Sequence, residues 1–132
     1  MIRGCVLDSN ILIYHINDQL DSEAERVFFT LLEGAVYISV ISRIEILGWK
    51  GHSDESRELT EMLISTLNEI ALDERIVQTT IAIRRHSSVK LPDALIAASA
   101  LCLGLPLVTR NTADFGKIEG LQLINPFEPS AL

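Results

Sequence analysis

Residues 91–109 read Leu91-Pro92-Asp93-Ala94-Leu95-Ile96-Ala97-Ala98-Ser99-Ala100-Leu101-Cys102-Leu103-Gly104-Leu105-Pro106-Leu107-Val108-Thr109. Pro92 suits a first helical position and Gly104 suits the residue that ends a helix, so a helix is predicted between them. From Ala94 to Leu101 it is apolar nearly all round, which predicts burial rather than a place on the surface. Leu107-Val108-Thr109 then reads as a short apolar strand. A buried helix feeding such a strand is the repeating unit of a parallel sheet covered on both faces.

The same alternation extends outward in both directions. Ile2 to Leu7 is a β-branched apolar run ending at Asp8, the predicted first strand, and Ser9 to Ile16 turns into a short helix. Ser22 and Glu25 have capping-box spacing, predicting a helix from there to Leu32, stopped by Gly34. Val36 to Ser39 is the second strand. Ser39 or Ser42 can cap the helix carrying Ile44, Glu45, Ile46 and Leu47, which ends at Gly48 and Gly51. Asp54 to Leu67 places Leu59, Met62, Leu63 and Leu67 on one helical face and Glu55, Glu58 and Glu61 on the other. Ile70-Ala71-Leu72 is the predicted third strand, Asp73 the cap of a helix running to about His86, and Leu121 to Ile124 the fifth strand. The fold class is therefore α/β, and the 132 residues make one domain, 1–132, large enough for a core without disulfides.

Composition narrows the function. With 48% apolar and 22% charged residues the chain is neither disordered nor a membrane protein. Its longest near-apolar stretch, Ala94 to Val108, is shorter than the roughly 20 residues a bilayer span needs. Met1 to Asp8 meets an acid before a signal-peptide core can form, so a soluble cytoplasmic protein is expected. Cys5 and Cys102 lie in apolar runs without CxxC spacing and read as buried thiols. His15, His52 and His86 share no ligand spacing. Trp49 reads as a packing or interface residue. Eighteen acids against eleven bases give a net charge of −7, which argues against broad nucleic-acid affinity and suits a partner with basic residues.

The informative residues are acids at element ends. Asp8 closes the first strand, where it could equally cap the following helix. Glu45 has aliphatic residues at three of its four nearest positions; it needs a partner or a metal, unless it reaches water, Arg43 or Lys50. Asp93 sits in the first turn of the most hydrophobic helix, where helix amides and dipole favour its anion whatever its role. Asp114 lies in the loop after the fourth strand, a common turn position. Ligands in such folds bind beyond the carboxyl ends of the strands, where strand order reverses. Asp8, Asp93 and the loop from Thr109 to Asp114 converge on that edge. Gathered carboxylates repel one another, so they take up protons or hold a cation, and hard oxygen ligands select Mg²⁺ or Mn²⁺. Such an ion can polarise a phosphodiester and activate water, and it supplies the positive charge an acidic pocket lacks. Arg43, Lys50, Lys90 and Arg110, near the acids in sequence, could assist.

Four segments carry a family resemblance: Leu7-Asp8-Ser9-Asn10, Ser42-Arg43-Ile44-Glu45, Leu91-Pro92-Asp93-Ala94-Leu95-Ile96-Ala97-Ala98, and Leu107 to Phe115. In this order and spacing the chain resembles PIN-domain ribonucleases, and among them the VapC toxins of toxin-antitoxin pairs. The resemblance implies a three-layer α/β/α sandwich around a central parallel sheet, and Mg²⁺- or Mn²⁺-dependent endonucleolytic cleavage of RNA. It also implies a homodimer and an inhibitory antitoxin protein. By the same resemblance Asp8 and Asp93 would be the main metal ligands, Glu45 a ligand or water-orienting group, and Thr109, Asn111 and Ser9 supports. The family's fourth acid would fall on Asn111 or Asp114; Asp114 is preferred, since Asn111 offers only a neutral oxygen. Two other readings stand beside this one. A phosphohydrolase could use Asp8 as nucleophile, though Asn10 occupies the place of its usual second acid. A PIN-like RNA-binding or scaffold protein could keep the fold without catalysis.

Overall fold

The computed structural model describes residues 4–128 and contains five strands and seven helices in the order β1 (Gly4–Leu7), α1 (Ser9–Ile16), α2 (Ser22–Leu32), β2 (Ala35–Ser39), α3 (Val40–Leu47), α4 (Asp54–Ser65), β3 (Asn68–Ile70), α5 (Glu74–His86), α6 (Leu91–Leu103), β4 (Leu107–Val108), α7 (Thr112–Phe115) and β5 (Leu123–Ile124). The strands form one parallel sheet in the order β3-β2-β1-β4-β5. From β1 the chain first builds outward through β2 and β3, then returns to the other side of β1 for β4 and β5. Strand order therefore reverses between β1 and β4, and the carboxyl edge at that junction is where such folds bind ligands.

Period-two alternation divides the sheet between two cores. Cys5 and Leu7 of β1, Val36 and Ile38 of β2, and Val108 of β4 face a cluster with Ile11, Leu12, Val27, Phe28, Ile46 and Ile64 from α1 to α4. Val6 and Leu107 face the opposite cluster, with Ile76 and Ile83 of α5, Ala94, Ile96, Ala97 and Ala98 of α6, and Phe115 of α7. The result is the three-layer α/β/α sandwich. Helix α6 is buried along most of one side and ends at Gly104, whose φ of +66° suits glycine as the left-handed closing residue. Trp49 packs over Gly51, where any Cβ would lie 2.3 Å from the indole ring.

Several boundaries differ from expectation. Residues Ile2 and Arg3 of the expected first strand lie outside the described residues, as do the chain ends of the expected domain. Helix α2 is capped by Asp21, whose carboxylate accepts from the Ala24 amide at 2.8 Å, so the cap lies one residue before Ser22. Ser39 caps α3, leaving Ser42 inside it. Helix α4 ends at Ser65, short of Leu67. Strand β3 is Asn68–Ile70 rather than residues 70–72, because Tyr37 to Ser39 pair with Asn68 to Ile70 and the Asn68 side-chain Nδ2 also donates to the Val36 carbonyl at 3.1 Å. An edge strand tolerates such polar residues, which sequence hydrophobicity overlooks. In α6, Leu91 is the first helical residue and Pro92 the second. Strand β5 begins at Leu123, two residues later than expected. The segment after β4, expected as a loop, contains the one-turn helix α7, anchored by the fully buried Phe115. Cys5 is buried, and burial pushes its thiol up to about 12, while Cys102 is only half-buried.

Candidate active site

Asp8 follows β1 directly and occupies the N-cap position of α1, yet its side chain makes no capping bond. It is instead 4% exposed and accepts a hydrogen bond from the Thr109 hydroxyl, Oγ1 to Oδ2, at 2.8 Å. Thr109 follows β4 and is fully buried. The two residues meet because β1 and β4 are neighbours, with the Asp8 amide donating to the Val108 carbonyl at 2.9 Å. The switch point of the sheet is thus held by one carboxylate-hydroxyl pair.

The remaining acids surround this pair at different depths. Glu45, in the second turn of α3, is exposed, and its Oε1 accepts from the Ser9 hydroxyl at 2.7 Å. Asp93, third residue of α6, is half-buried. Burial pushes the Asp8 carboxyl up to about 6, against the Thr109 hydrogen bond, which lowers it; the charges of Asp93 and then Glu45 raise it further. Asp93 is also raised, first by burial and then by Glu45 and Asp114, with Lys90 opposing. The carboxyls that neighbouring negative charge raises are thus Asp8, by Asp93 and Glu45, and Asp93, by Glu45 and Asp114.

The fourth position resolves into a small cap. Asn111 is the N-cap of α7: its Oδ1 accepts from the Asp114 amide at 3.3 Å and its Nδ2 donates to Asp114 Oδ2 at 3.1 Å. The Asn111 backbone amide also donates to Thr109 Oγ1 at 3.0 Å, so the hydroxyl that steadies Asp8 is itself steadied by this turn. The Asn111 oxygen is therefore engaged in capping, whereas Asp114 is exposed and 4.0 Å from Lys117 Nζ. Asp114 touches the cluster through its charge on Asp93.

Of the four bases expected to assist, Arg43 is taken: its Nε lies 2.5 Å from Glu69 Oε2 on β3. Lys90 acts on Asp93. Arg110 lies over the Phe127 ring, 4.1 Å from its centroid, and 5.4 Å from that of Tyr14. Sequence reasoning gave neither the Ser9–Glu45 bond nor the aromatic support of Arg110, because no local spacing relates those residues. Asn10, read from the sequence as a motif residue standing where a second acid would be, has a buried Oδ1 with no hydrogen-bond partner among the described residues.

A divalent cation fits this donor set by its chemistry. The groups are hard carboxylate oxygens whose mutual repulsion and burial a cation would relieve. Among the described residues no three His, Cys, Asp or Glu side chains stand arranged as a finished cage.

Comparison with known proteins gives a consistent picture. The PIN domain family model matches residues 5–121. A chain of a toxin-antitoxin complex from Klebsiella pneumoniae is 32% identical, with a TM-score of 0.78, the match covering 95% of this chain and 99% of that one. A chain of DNA-bound VapBC from Salmonella typhimurium is 27% identical, with a TM-score of 0.80 and coverage of 96% and 99%. A chain of VapBC-1 from nontypeable Haemophilus influenzae is 26% identical, with a TM-score of 0.76 and coverage of 94% and 98%. A search of curated proteins finds no match. Since the family model spans most of the sequence and a 32% identical chain matches over 95% of it, the chain belongs to the PIN domain family.

Proposed function

We propose that this chain is a Mg²⁺- or Mn²⁺-dependent endoribonuclease, the toxin of a type II toxin-antitoxin pair. The observation that carries the reading is Asp8: a carboxylate 4% exposed at the switch point, pushed up to about 6 by burial and flanked by two further acids. A fold does not keep such a group for stability, since an ionised carboxylate there is costly without a cation. When bound, the ion supplies positive charge to a phosphodiester oxygen and lowers the pKa of an attacking water.

The residues divide the work by depth. Asp8 and Asp93 hold the cation, with Thr109 fixing the Asp8 carboxylate by its 2.8 Å hydrogen bond. Ser9 restrains one oxygen of Glu45 at 2.7 Å, leaving the other to orient water toward phosphorus. Asp114, tied to Asn111, adds negative charge at the outer rim of the site. The Klebsiella pneumoniae relative, named as part of a toxin-antitoxin complex, supports an antitoxin partner. Ile44 on α3, Leu59 and Met62 on α4, and Val77 and Ile81 on α5 are exposed apolar side chains that the antitoxin or a second copy in a homodimer would cover. Among the described residues no helix is long and apolar enough to cross a membrane.

The test is incubation of single-stranded RNA with the chain in Mg²⁺ or Mn²⁺, in EDTA, and with Asp93→Asn. Cleavage is expected only with the wild-type chain and metal, while the circular dichroism of Asp93→Asn stays that of wild type. Cleavage by Asp93→Asn at the wild-type rate refutes the site. Co-purification with the product of an adjacent short reading frame, and inhibition by it, tests the toxin assignment.

A further inference from the structure

We propose that Arg110 is a phosphate-binding residue that grips the RNA backbone beside the scissile bond, on the β4–β5 side of the site; the proposal rests on the reading of this chain as an RNA-cleaving enzyme. Three observations converge on it. The first is how the cations are distributed. Among the described residues Arg26, Arg43 and Arg57 face the carboxylates of Glu23, Glu69 and Glu61, while Arg75 and Arg84 donate to the carbonyls of Cys102 and Val89. Arg110 and Arg85 have neither a carboxylate nor a carbonyl partner among them, in a chain with eighteen acids, and of these two only Arg110 is seated on aromatic rings.

The second is that the side chain is nonetheless held. Its guanidinium carbon lies 4.1 Å from the centroid of Phe127 and 5.4 Å from that of Tyr14, and the two rings meet edge to face at 5.5 Å. Phe127 is itself fixed, since its amide donates to Oδ1 of the buried Asn125 at 3.0 Å. Stacking uses the flat face of a guanidinium and leaves its N–H donors pointing outward in the plane, the fork that matches two phosphate oxygens. An exposed arginine ordinarily loses rotamer freedom when it binds; here the rings have already restrained it.

The third is position. Arg110 directly follows Thr109, whose hydroxyl holds Asp8, and precedes Asn111, whose amide holds Thr109. Tyr14 of α1 and Phe127 after β5 pack on the core cluster on the other side of the sheet from α6, so Arg110 leaves the carboxyl end of β4 and is seated on the layer opposite the helix that carries Asp93. An acidic cleft that must keep a polyanion in place needs a fixed positive charge outside the metal site, and this one is exposed.

The experiment measures binding of a fluorescent single-stranded oligoribonucleotide by anisotropy at several KCl concentrations, with Asp93→Asn present so that the RNA stays intact. Cleavage kinetics are followed in the chain without that change. Arg110→Gln is expected to weaken binding roughly tenfold. It is also expected to flatten the salt dependence by about 0.7 in log-log slope, one phosphate contact on a single strand. In cleavage KM rises and kcat stays within about twofold, as for lost uniform binding. Phe127→Leu keeps the charge and removes the ring, so affinity falls a few-fold at unchanged slope. Arg75→Gln, at the start of α5 beside the Cys102 carbonyl and so at the opposite end of α6 from Asp93, changes neither. An unaltered slope and KM in Arg110→Gln, with the wild-type chain cleaving RNA, overturns the assignment of Arg110 alone. Loss of kcat at constant KM also overturns it, as does loss of a protein partner with RNA binding intact. A wild-type chain that neither binds nor cleaves RNA overturns the enzyme reading together with it.

Discussion

Replacing Asp8 by Asn is expected to inactivate the protein and to shift its stability relative to wild type in the variant's favour as pH rises. The folded carboxyl is raised from 3.8 to about 6 by burial, so the folded state binds its proton more tightly than the unfolded chain does. Stability from this group is therefore greatest at low pH and is lost as pH rises from about 4 through about 6. Two units at 1.36 kcal/mol each amount to about 3 kcal/mol of destabilisation at pH 8. With a side chain only 4% exposed, solvent screening removes little of it. Asn has no charge to desolvate, but its new N–H group lacks an evident acceptor and costs about 1–3 kcal/mol at every pH. That cost cancels when the two pH values are compared. The stability difference between Asp8→Asn and wild type should thus be about 2 to 3 kcal/mol more favourable to the variant at pH 8 than at pH 4. Urea unfolding in EDTA at both pH values measures it. A difference that is the same at pH 4 and pH 8 would show that Asp8 is not desolvated, and the reasoning from its burial would fail. Added Mg²⁺ should raise the Tm of wild type and leave that of Asp8→Asn nearly unmoved.

Thr109→Val conserves volume and removes the 2.8 Å bond that lowers the Asp8 pKa, so the acid limb of the pH–rate profile should move to higher pH; a profile superimposable on wild type would deny Thr109 that role. Ser9→Ala releases Glu45 from its 2.7 Å partner and is expected to weaken metal-dependent activity about tenfold with little change in Tm, read from Mg²⁺ titrations of cleavage. Asn111→Ala removes the cap of α7 and should cost about 1 kcal/mol in urea unfolding, whereas Asp114→Asn should leave stability nearly unchanged and reduce cleavage less than Asp93→Asn does. An Asp114→Asn chain as inactive as Asp93→Asn would place Asp114 at the centre of the site instead of its rim.

Much of this was readable from residue order. Apolar runs, capping residues and the Pro92 and Gly104 brackets act on near neighbours in the chain, so they mark the elements and put Asp8 and Asp93 at element ends. Where the local signal misled, a distant partner decided: β3 begins at Asn68 because β2 pairs with it there, and α7 forms because Phe115 is drawn into the core. For the fourth position, Asn111 and Asp114 looked like alternatives, and they turn out to be partners in one cap.

The sequence by itself determined the α/β alternation, the parallel sheet and the set of acids available for chemistry, because periodicity and helix-end preferences are properties of neighbouring residues. Tertiary structure alone decided which of those acids meet. The order β3-β2-β1-β4-β5 brings Thr109 onto Asp8 across 101 positions of sequence, lifts the Asp8 pKa and seats Arg110 on rings from α1 and the segment after β5. Desolvation, Coulomb repulsion and ring stacking depend on distance in space and on excluded water, and neither quantity exists until the sheet has closed.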